Sequence, residues 1–233
     1  MTSGTVCIVL AGGLGTRLRS VVADLPKCLA PVEGQPFLRR QLESLSARGV
    51  ERFVLSLGYG SEQVQEALAD WPLKNRISCV VETEPLGTGG AMAFALRESG
   101  LSEALVANGD TFLGGDLQAL LTPLRADEAV RMSVVTVPDR ARFGGVAIDA
   151  EGRVERFIEK GAQGPGPINA GLYRVGTAAF EDAPKGAFSF ETETMPRLVA
   201  EARLRAALIH GDFIDIGVPE DYHRYCRDHE RLR

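Results

Sequence analysis

In the first half of the chain, short continuous runs of apolar residues alternate with segments in which apolar residues recur every three to four positions. Segments 6–10, 52–57 and 76–82 are largely apolar and of strand length. Between the first two, side chains at helix spacing predict a helix that starts at Pro36 and stops at Gly49, with the face Phe37, Leu38, Gln41, Leu42 and Leu45. Ser61 is predicted to cap a second helix that runs to Leu68. This alternation predicts an α/β fold with a doubly wound, mostly parallel sheet, whose ligands bind beyond the carboxyl ends of the strands.

The pattern changes in the second half of the chain. Residues 131–137 and 143–148 have strand patterns, and Asp149 to Gly152 forms a turn into a further strand over residues 153–159. An Asp-x-x-Gly turn between alternating apolar runs is typical of a β-hairpin. We therefore expect a smaller antiparallel extension that borders the parallel sheet. Ser189 is predicted to cap a later helix whose regularity is limited by Pro196.

Length and composition fit a single domain over residues 1–233 and exclude several classes of protein. The formal net charge of −5 and the lack of a basic run argue against a nucleic-acid-binding protein. No apolar stretch approaches the roughly 20 residues of a membrane span, and no basic leader opens the chain. A cytoplasmic protein with no membrane partner is expected. The singly scattered cysteines predict neither a zinc site nor disulfides: Cys7, Cys28, Cys79 and Cys226.

The first strand runs directly into a glycine-rich turn, Ala11-Gly12-Gly13-Leu14-Gly15-Thr16-Arg17. Three glycines in four positions are expected to let the backbone take positive φ and to let N–H groups converge on an anion, beside the forked cation of Arg17. The turn lacks the Gly-Lys-Ser/Thr ending of a P-loop and the third glycine of a dinucleotide fingerprint. It predicts a phosphate site of another kind, with an ordinary strand-to-helix turn as the alternative.

Two further loops carry candidate polar groups at strand ends. Asp110 follows the apolar strand 103–107 and the pair Asn108-Gly109, where a carboxylate suits a Mg²⁺ ligand, although Asn-Gly and Gly-Asp also form ordinary turns. Residues 84–91 form a glycine-rich loop ahead of a helix that is predicted to start near Gly89. The backbone of this loop can approach a flat ligand, and a tight helix entry is the alternative.

The opening of the chain resembles that of the sugar-1-phosphate nucleotidylyltransferases. The resemblance rests on Leu-Ala-Gly-Gly-Leu-Gly-Thr-Arg-Leu at residues 10–18, on Asp24-Leu25-Pro26-Lys27, and on Leu29-Ala30-Pro31-Val32. It implies that the glycine loop wraps the triphosphate of an NTP and that Arg17 and Lys27 contact its phosphates. The loop Glu-Pro-Leu-Gly-Thr-Gly-Gly at 84–90 resembles the family's nucleobase loop. The nucleotide-binding residues implied are Leu10, Ala11, Gly12, Gly13, Gly15, Thr16, Arg17, Lys27, Glu84, Leu86, Gly87, Thr88, Asn108 and Gly109.

The same resemblance extends through the second half of the chain. By their place in its motifs, Asp110 and Asp215 are implied to be the two ligands of Mg²⁺, which would relieve the cost of two unpaired buried carboxylates. Segments 143–146, 157–160 and 168–173 match its sugar-phosphate contacts, with Phe143 in place of the usual tyrosine and Gly161 where proline is frequent. The implied sugar-phosphate-binding residues are Gly145, Glu159, Lys160 and Asn169. Residues 1–125 are then mainly the nucleotide half and residues 126–233 mainly the sugar-phosphate half.

The reaction implied is attack by a sugar 1-phosphate on the α-phosphorus of an NTP, with release of pyrophosphate. The nucleophile is already ionised at neutral pH, so no histidine is needed, and catalysis is expected to rest on alignment and charge neutralisation by Arg17, Lys27, Asp110 and Asp215. Within the family, details such as Phe-Ile-Asp-Ile-Gly-Val-Pro-Glu-Asp-Tyr at 213–222 look most like members that transfer a guanylyl group from GTP to D-glycero-α-D-manno-heptose 1-phosphate.

Other functions stay open from the sequence alone. Guanylyl transfer to mannose 1-phosphate is the first alternative, and uridylyl transfer to an amino sugar 1-phosphate is the second. A non-catalytic module that senses nucleotide sugars would be expected to lack one of the four charged residues, and all are present. A glycosyltransferase would be expected to carry an Asp-x-Asp motif. The heptose assignment implies a role in capsule or lipopolysaccharide biosynthesis, and the oligomeric state stays open, a homo-oligomer included.

Overall fold

The computed structural model describes residues 4–13, 15–18, 21–22 and 25–230, so Leu14 and Asp24 of the N-terminal motifs lie outside the described residues. The strands are β1 (Val6–Leu10), β2 (Pro31–Val32), β3 (Gln35–Pro36), β4 (Arg52–Leu57), β5 (Ile77–Val81), β6 (Glu103–Asn108), β7 (Thr111–Leu113), β8 (Val130–Val137), β9 (Gly145–Ile148), β10 (Val154–Ile158), β11 (Gly166–Gly176), β12 (Leu204–Leu208) and β13 (Phe213–Asp215). The helices are α1 (Phe37–Ala47), α2 (Ser61–Leu68), α3 (Gly87–Glu98), α4 (Gln118–Leu121), α5 (Met195–Ala200) and α6 (Pro219–Glu230).

A mixed but mostly parallel sheet forms the centre of the fold. In the part of the chain that is described it has seven strands in the order β12-β8-β11-β6-β1-β4-β5, and helices alternate with strands along the chain. The pairs β1–β4, β4–β5 and β12–β8 are parallel, and β8–β11 is antiparallel. The predicted α/β fold with a mostly parallel sheet is confirmed. Across the described helices, none combines the length and the apolar character that crossing a membrane requires.

The chain divides into two compact units. As far as it is described, the first comprises Met1–Pro85, Ala107–Phe112 and Phe213–Arg233, and the second comprises Leu86–Val106 and Leu113–Asp212. The predicted division at residue 125 concerns which ligand each half binds, and it stays a prediction.

The first unit is built on β1. This strand is buried along Cys7, Ile8 and Val9, and it pairs with β4 in register from Val6 opposite Arg52 to Leu10 opposite Ser56. The predicted bounds of β1 and β4 are confirmed, and β5 is one residue shorter at each end than predicted. Because parallel strands end at the same edge of a sheet, the segments that follow β1 and β4 begin side by side.

Helix starts differ from the predictions where the backbone conformation decides them. Pro36 is extended, with φ −57° and ψ 136°, and precedes α1 instead of occupying its first turn. Gly60 precedes α2 with a φ of 69°, a conformation that glycine adopts most readily, so the predicted Ser61 cap is wrong. α3 begins at Gly87, two residues before the predicted start. The Ser189 cap is confirmed, since its hydroxyl accepts a hydrogen bond from the Thr192 N–H.

A hydrophobic cluster in the first unit joins the start of the chain to its last helix. Phe37 is fully buried, and its ring meets that of Tyr225 edge-on with centroids 5.7 Å apart. Leu18 and Ile216 pack into the same cluster, so the positions next to Arg17 and Asp215 are anchored by apolar contacts. The cluster consists of Leu18, Val22, Ala30, Val32, Phe37, Ile214, Ile216, Tyr222 and Tyr225.

The second unit contains the hairpin that the sequence predicts. β9 and β10 pair antiparallel, from Val154 opposite Ile148 to Ile158 opposite Gly145. β8 and β11 are also antiparallel, but they lie in the central sheet. The separate antiparallel element is therefore the short hairpin, and the expectation that residues 131–137 belong to it is wrong. The first six residues of β8 are all buried, as they must be in a strand covered on both faces.

Replacing Phe37 with alanine is expected to lower the free energy of unfolding by about 3–5 kcal/mol, because a fully buried aromatic ring leaves a cavity. Urea denaturation followed by circular dichroism measures the change. Leu208→Ala is the control, because Leu208 is 51% exposed and its truncation is expected to change stability by less than about 0.5 kcal/mol. Similar losses in both variants would contradict the assignment of Phe37 to the core.

Candidate active site

Backbone hydrogen bonds hold the glycine loop between two neighbouring segments. Ala11 N donates to Ser56 O at 2.9 Å, and Tyr59 N donates to Gly12 O at 3.3 Å, which ties the loop to the end of β4. On its other side, Gly109 N donates to Leu10 O at 3.0 Å. The end of β6 and the turn after it therefore lie directly against the start of the loop, with Gly109 hydrogen-bonded to Leu10.

The three described glycines of the loop are needed for different reasons. A Cβ on Gly12 would lie 2.8 Å from Gly58 N, so Gly12 permits close backbone packing. Gly15 has φ +57°, and a Cβ there would lie 2.9 Å from Lys27 Cβ. A Cβ on Gly13 would meet nothing within 4 Å. The expectation of positive φ along the loop is thus met at Gly15 alone among these three. Gly13 keeps an exposed stretch of backbone bare, where a ligand can approach.

Arg17 and Thr16 are exposed on a short 3₁₀ turn, Thr16–Leu18, that follows the loop. Leu18 N donates to Gly15 O at 2.9 Å, and the Leu18 side chain is 1% exposed in the hydrophobic cluster. The turn is therefore anchored by Leu18 and presents Arg17 outward. Among the described residues, the Arg17 guanidinium has no ion-pair partner, so its donors remain available for an anionic ligand.

Lys27 and Asp110 form an ion pair across 83 positions of sequence. Lys27 begins a 3₁₀ turn, Lys27–Leu29, whose other two residues are buried. Its Nζ lies 2.5 Å from Asp110 Oδ2, and the side chains are 13% and 34% exposed, respectively. Because Asp110 is about one-third exposed, its carboxylate and the lysine can both be reached by a bound ligand or ion.

Asp215 is brought to the same place by the short segment that follows β13. Ile216 N donates to Asp110 O at 2.9 Å, and Gly217 N donates to Asp215 Oδ1 at 2.6 Å. A Cβ on Gly217 would lie 2.6 Å from Asp215 Oδ1 and 3.2 Å from Lys27 Nζ. Both atoms therefore lie within a few ångström of one point, and the structure brings together Lys27, Asp110 and Asp215.

This donor set fits a hard divalent cation. Two carboxylates beside one another supply oxygen ligands, and Mg²⁺ typically takes one or two carboxylates and completes its octahedron with water and substrate phosphates. Within the described chain, no group of three or more histidine, cysteine, aspartate or glutamate side chains is placed to hold a metal ion. A cation at Asp110 and Asp215 would compete with Lys27 for Asp110 Oδ2 or bind the other oxygen, Oδ1, which accepts from the Thr111 hydroxyl at 3.2 Å.

Cys28 lies next to Lys27 and stays uncharged at neutral pH. Burial raises the pKa of the Cys28 thiol to about 12, and the negative charge of Asp110 acts in the same direction. A thiol with so high a pKa is a poor nucleophile. Cys28 therefore fills space beneath the site.

The predicted base loop is shaped by the segment around Phe188. A Cβ on Gly87, which has φ +67°, would lie 2.5 Å from Phe188 O, and Phe188 N donates to Leu86 O at 3.0 Å. The Thr88 hydroxyl donates to Glu191 Oε2 at 2.5 Å and accepts from Phe190 N at 2.9 Å. The Thr88 side chain is thus occupied within the protein. Glu84, on the first unit, is exposed.

The predicted sugar-phosphate residues lie at the ends of the hairpin and on β11. Gly145 is the first residue of β9, while Glu159 and Lys160 are exposed just after β10. Asn169 on β11 has an oriented amide: its Oδ1 accepts from Gly171 N at 3.0 Å and its Nδ2 donates to the Tyr173 hydroxyl at 2.8 Å. Each of these amide atoms retains one further hydrogen-bonding position for a ligand.

Several residues that hold the candidate site residues in place were not singled out by their sequence pattern. Gln41 counted only as a position on the face of α1, yet its side chain contacts the turn that carries Asp110. Glu191 accepts a hydrogen bond from Thr88, and Tyr173, four residues along β11, accepts one from Asn169. A polar residue on an otherwise apolar helix face was the available signal for Gln41. No local signal marked Glu191, because its partner is 103 residues away.

Comparisons with known proteins agree with the family resemblance. Residues 6–231 match the sequence model of the nucleotidyl transferase family. The chain is 38% identical over 220 residues to D-glycero-alpha-D-manno-heptose 1-phosphate guanylyltransferase of Campylobacter jejuni subsp. jejuni serotype O:2, which covers 94% of this chain and 97% of that protein. It is 36% identical over 227 residues to mannose-1-phosphate guanylyltransferase of Mycobacterium tuberculosis, which covers 95% of this chain and 63% of that protein.

Solved structures give the same fold over nearly the whole chain. HddC from Yersinia pseudotuberculosis superimposes with a TM-score of 0.86 at 38% identity, covering 97% of this chain and 99% of that chain. A second crystal structure of HddC, complexed with GMP-PN, gives a TM-score of 0.85 with the same identity and coverage. The fold and the family resemblance predicted from the sequence are confirmed by these matches.

Alanine at Gly12 and at Gly13 is expected to have opposite effects on stability. Gly12→Ala forces a Cβ against the backbone of Gly58 and is expected to cost about 1–3 kcal/mol. Gly13→Ala meets open space, and reduced freedom of the unfolded chain is expected to leave stability unchanged or raise it by up to about 1 kcal/mol. Chemical denaturation of both variants provides the comparison. A larger loss at Gly13 than at Gly12 would refute the packing described for this loop.

Proposed function

We propose a function for this chain from the premise that it belongs to the nucleotidyl transferase family. The proposed reaction joins D-glycero-α-D-manno-heptose 1-phosphate to GTP and gives GDP-heptose and pyrophosphate. The single observation that carries the reaction type is the convergence of Lys27, Asp110 and Asp215, three charged groups from distant segments that meet around the Lys27 ammonium group beside the glycine loop. Packing alone does not require such a group of partly exposed charges.

The relatives support both the base and the sugar. The Campylobacter relative, named for heptose 1-phosphate and guanylyl transfer, aligns over almost its whole length, and HddC has been crystallised with GMP-PN. The mycobacterial relative is named for mannose 1-phosphate at a similar level of identity, and the chain spans 63% of its length. Both relatives are named for guanylyl transfer, so both support the choice of GTP. The choice of heptose over mannose depends on the alignment with the Campylobacter relative, which covers 97% of that protein.

Binding of the triphosphate is proposed to use the exposed backbone of the glycine loop and the two cations. Gly13 leaves room for phosphate oxygens, and Gly12, Gly13, Gly15 and Thr16 contribute backbone N–H groups, while Leu10 and Ala11 line the loop. Arg17 supplies a forked donor without a competing acid among the described residues. Lys27, anchored by Asp110, is a point charge that neutralises the phosphates during transfer. Asn108 and Gly109 contribute from the adjoining segment.

Catalysis is proposed to be alignment and charge neutralisation. An oxygen of the sugar 1-phosphate forms a bond to the α-phosphorus of GTP, the bond from that phosphorus to the pyrophosphate oxygen breaks, and no proton has to be removed from the nucleophile. Mg²⁺ held by Asp110 and Asp215 would neutralise negative charge on the phosphates when bound. Arg17 and Lys27 hold the reacting phosphates in line and stabilise the charge that develops on the leaving group.

Recognition of the two substrates is proposed to divide between the two halves of the chain. Residues 1–125 would mainly bind the nucleotide, with Glu84, Leu86, Gly87 and Thr88 against the base, the last through its backbone. Residues 126–233 would mainly bind the sugar phosphate. There the Gly145 N–H and the Asn169 amide meet the sugar, Glu159 accepts from its hydroxyls, and Lys160 meets its phosphate. We further propose that the enzyme acts in the cytoplasm, where nucleoside triphosphates are abundant, and supplies capsule or lipopolysaccharide synthesis.

Pyrophosphate release from matched pairs of substrates tests the proposal. The purified protein with Mg²⁺ is assayed with each of GTP, ATP, CTP and UTP against heptose, mannose and N-acetylglucosamine 1-phosphates. We expect GTP with D-glycero-α-D-manno-heptose 1-phosphate to have the highest kcat/KM. A preference for mannose 1-phosphate would select the alternative guanylyltransferase, and a preference for UTP with the amino sugar would select the uridylyltransferase. Binding of a nucleotide without release from any pair would indicate a sensing module.

Asp110→Asn is expected to keep the fold and lower kcat by about a hundredfold or more. The substitution removes the charge that pairs with Lys27 and that would bind the cation, while the amide preserves the shape of the side chain. Steady-state kinetics with GTP and the best sugar 1-phosphate measure the loss, and circular dichroism verifies the fold. The control is Asp70→Asn, which removes an equal charge from an exposed position. Wild-type turnover in Asp110→Asn would refute the proposed role.

A further inference from the structure

Gln41 is a buried polar residue on the face of α1 that otherwise packs into the core. The residue is 4% exposed, and its neighbours on that face, Leu38, Leu42 and Leu45, are 0–3% exposed. An apolar side chain of similar size would satisfy the packing at this position. A buried amide costs free energy unless its hydrogen bonds are made. The presence of glutamine here therefore needs a reason beyond filling the core.

The amide nitrogen of Gln41 bridges the two ends of the turn that carries Asp110. Nε2 donates to Asn108 O at 2.8 Å and to Thr111 O at 2.7 Å. These carbonyls lie on either side of Gly109 and Asp110, so the two hydrogens of one amide group link the two ends of the turn. Asp110 O is held from another direction by Ile216 N at 2.9 Å. The backbone on both sides of the Asp110 carboxylate is thus fixed by named donors.

The hydrogen bonds of the Gln41 side chain are made by its amide nitrogen and not by its amide oxygen. Gln41 Oε1 is buried and has no hydrogen-bond partner among the described residues. An acceptor left without a donor is destabilising, so the glutamine gives up stability at one atom while its nitrogen makes two hydrogen bonds. A residue chosen for stability alone would avoid this arrangement.

We infer that Gln41 is a positioning residue for Asp110: by crosslinking Asn108 O and Thr111 O, its amide holds the Asp110 carboxylate in the orientation that binds the divalent cation beside Lys27. This inference deepens the proposed function and rests on it for the identity of the cation site. The geometric link between Gln41 and the turn stands on the two hydrogen bonds alone. Groups that orient a metal-binding carboxylate in this way tune its affinity without touching the ion.

Gln41→Met separates positioning from stability. Methionine has nearly the same length and volume and removes the unpartnered oxygen, but it also takes a donor from the Asn108 and Thr111 carbonyls, so the midpoint of thermal unfolding is expected to fall by no more than it falls in Leu45→Ala. The dissociation constant for Mn²⁺ in the presence of GTP and without sugar phosphate, measured by electron paramagnetic resonance, is expected to rise about tenfold. We expect kcat to fall with it, and raised Mn²⁺ or Mg²⁺ concentration to restore part of the activity.

Leu45→Ala is the matched control on the same helix. Leu45 is 3% exposed on the same face of α1, and its truncation is expected to lower the midpoint of unfolding while it leaves the Mn²⁺ dissociation constant unchanged. A general loosening of α1 would raise the Mn²⁺ constant in both variants, and that result would overturn the inference. A loss of Mn²⁺ affinity in Gln41→Met, with a loss of stability no larger than that of Leu45→Ala, would support it.

Hydrogen exchange provides a readout that does not depend on any substrate. Peptides that cover residues 108–111 are expected to exchange at least about tenfold faster in Gln41→Met than in the wild type or in Leu45→Ala, because the turn loses its two bridging bonds. Unchanged exchange in this turn would refute the positioning role. If the wild-type protein neither binds Mn²⁺ with GTP nor releases pyrophosphate, the proposed function fails, while the exchange result still decides the link between Gln41 and the turn.

Discussion

The candidate site depends on the backbone around Asp110 being held from several sides. Gly109 N bonds to Leu10 O at the start of the glycine loop, and Asp110 O accepts from Ile216 N beside Asp215. The carboxylate itself pairs with Lys27. Three segments that lie far apart in sequence thus meet at one short turn. Because like charges repel one another, the Lys27 ammonium group paired with Asp110 reduces the repulsion between the two carboxylates.

Most glycines around the Asp110 turn are needed because neighbouring atoms pack closely against them, and not because their backbone has a positive φ. Gly12 and Gly109 would each place a Cβ within 3 Å of neighbouring backbone, at Gly58 N and Leu10 O respectively. Gly217 leaves space for the Lys27 ammonium group. Gly13 has no such constraint, since a Cβ there would meet nothing within 4 Å. The sequence motif does not distinguish these glycines from one another, whereas their surroundings in the structure do.

In the second unit, two polar side chains that the sequence predicts to bind the substrates are held by hydrogen bonds within that unit. Thr88 is engaged by Glu191 and Phe190 N, and the Asn169 amide is oriented by Gly171 and Tyr173. Such fixed groups cost little reorganisation during a reaction, which suits a transfer that relies on alignment and charge neutralisation. Arg17 is the exception, because among the described residues it has no ion-pair partner and presents its guanidinium outward.

The sequence by itself determined the strand and helix pattern and the family, because these follow from local periodicity and from motifs whose spacing is short. The bounds of β1 and β4 and the Ser189 cap were predicted for this reason. Only the tertiary structure decided that β8 lies in the main sheet and that Gly60, not Ser61, precedes α2, because both depend on where the chain packs. It also decided the partners of Asp110, Thr88 and Gln41. Those partners are 67 to 106 residues away in sequence, and a hydrogen bond over such a separation leaves no mark in the local pattern of either segment.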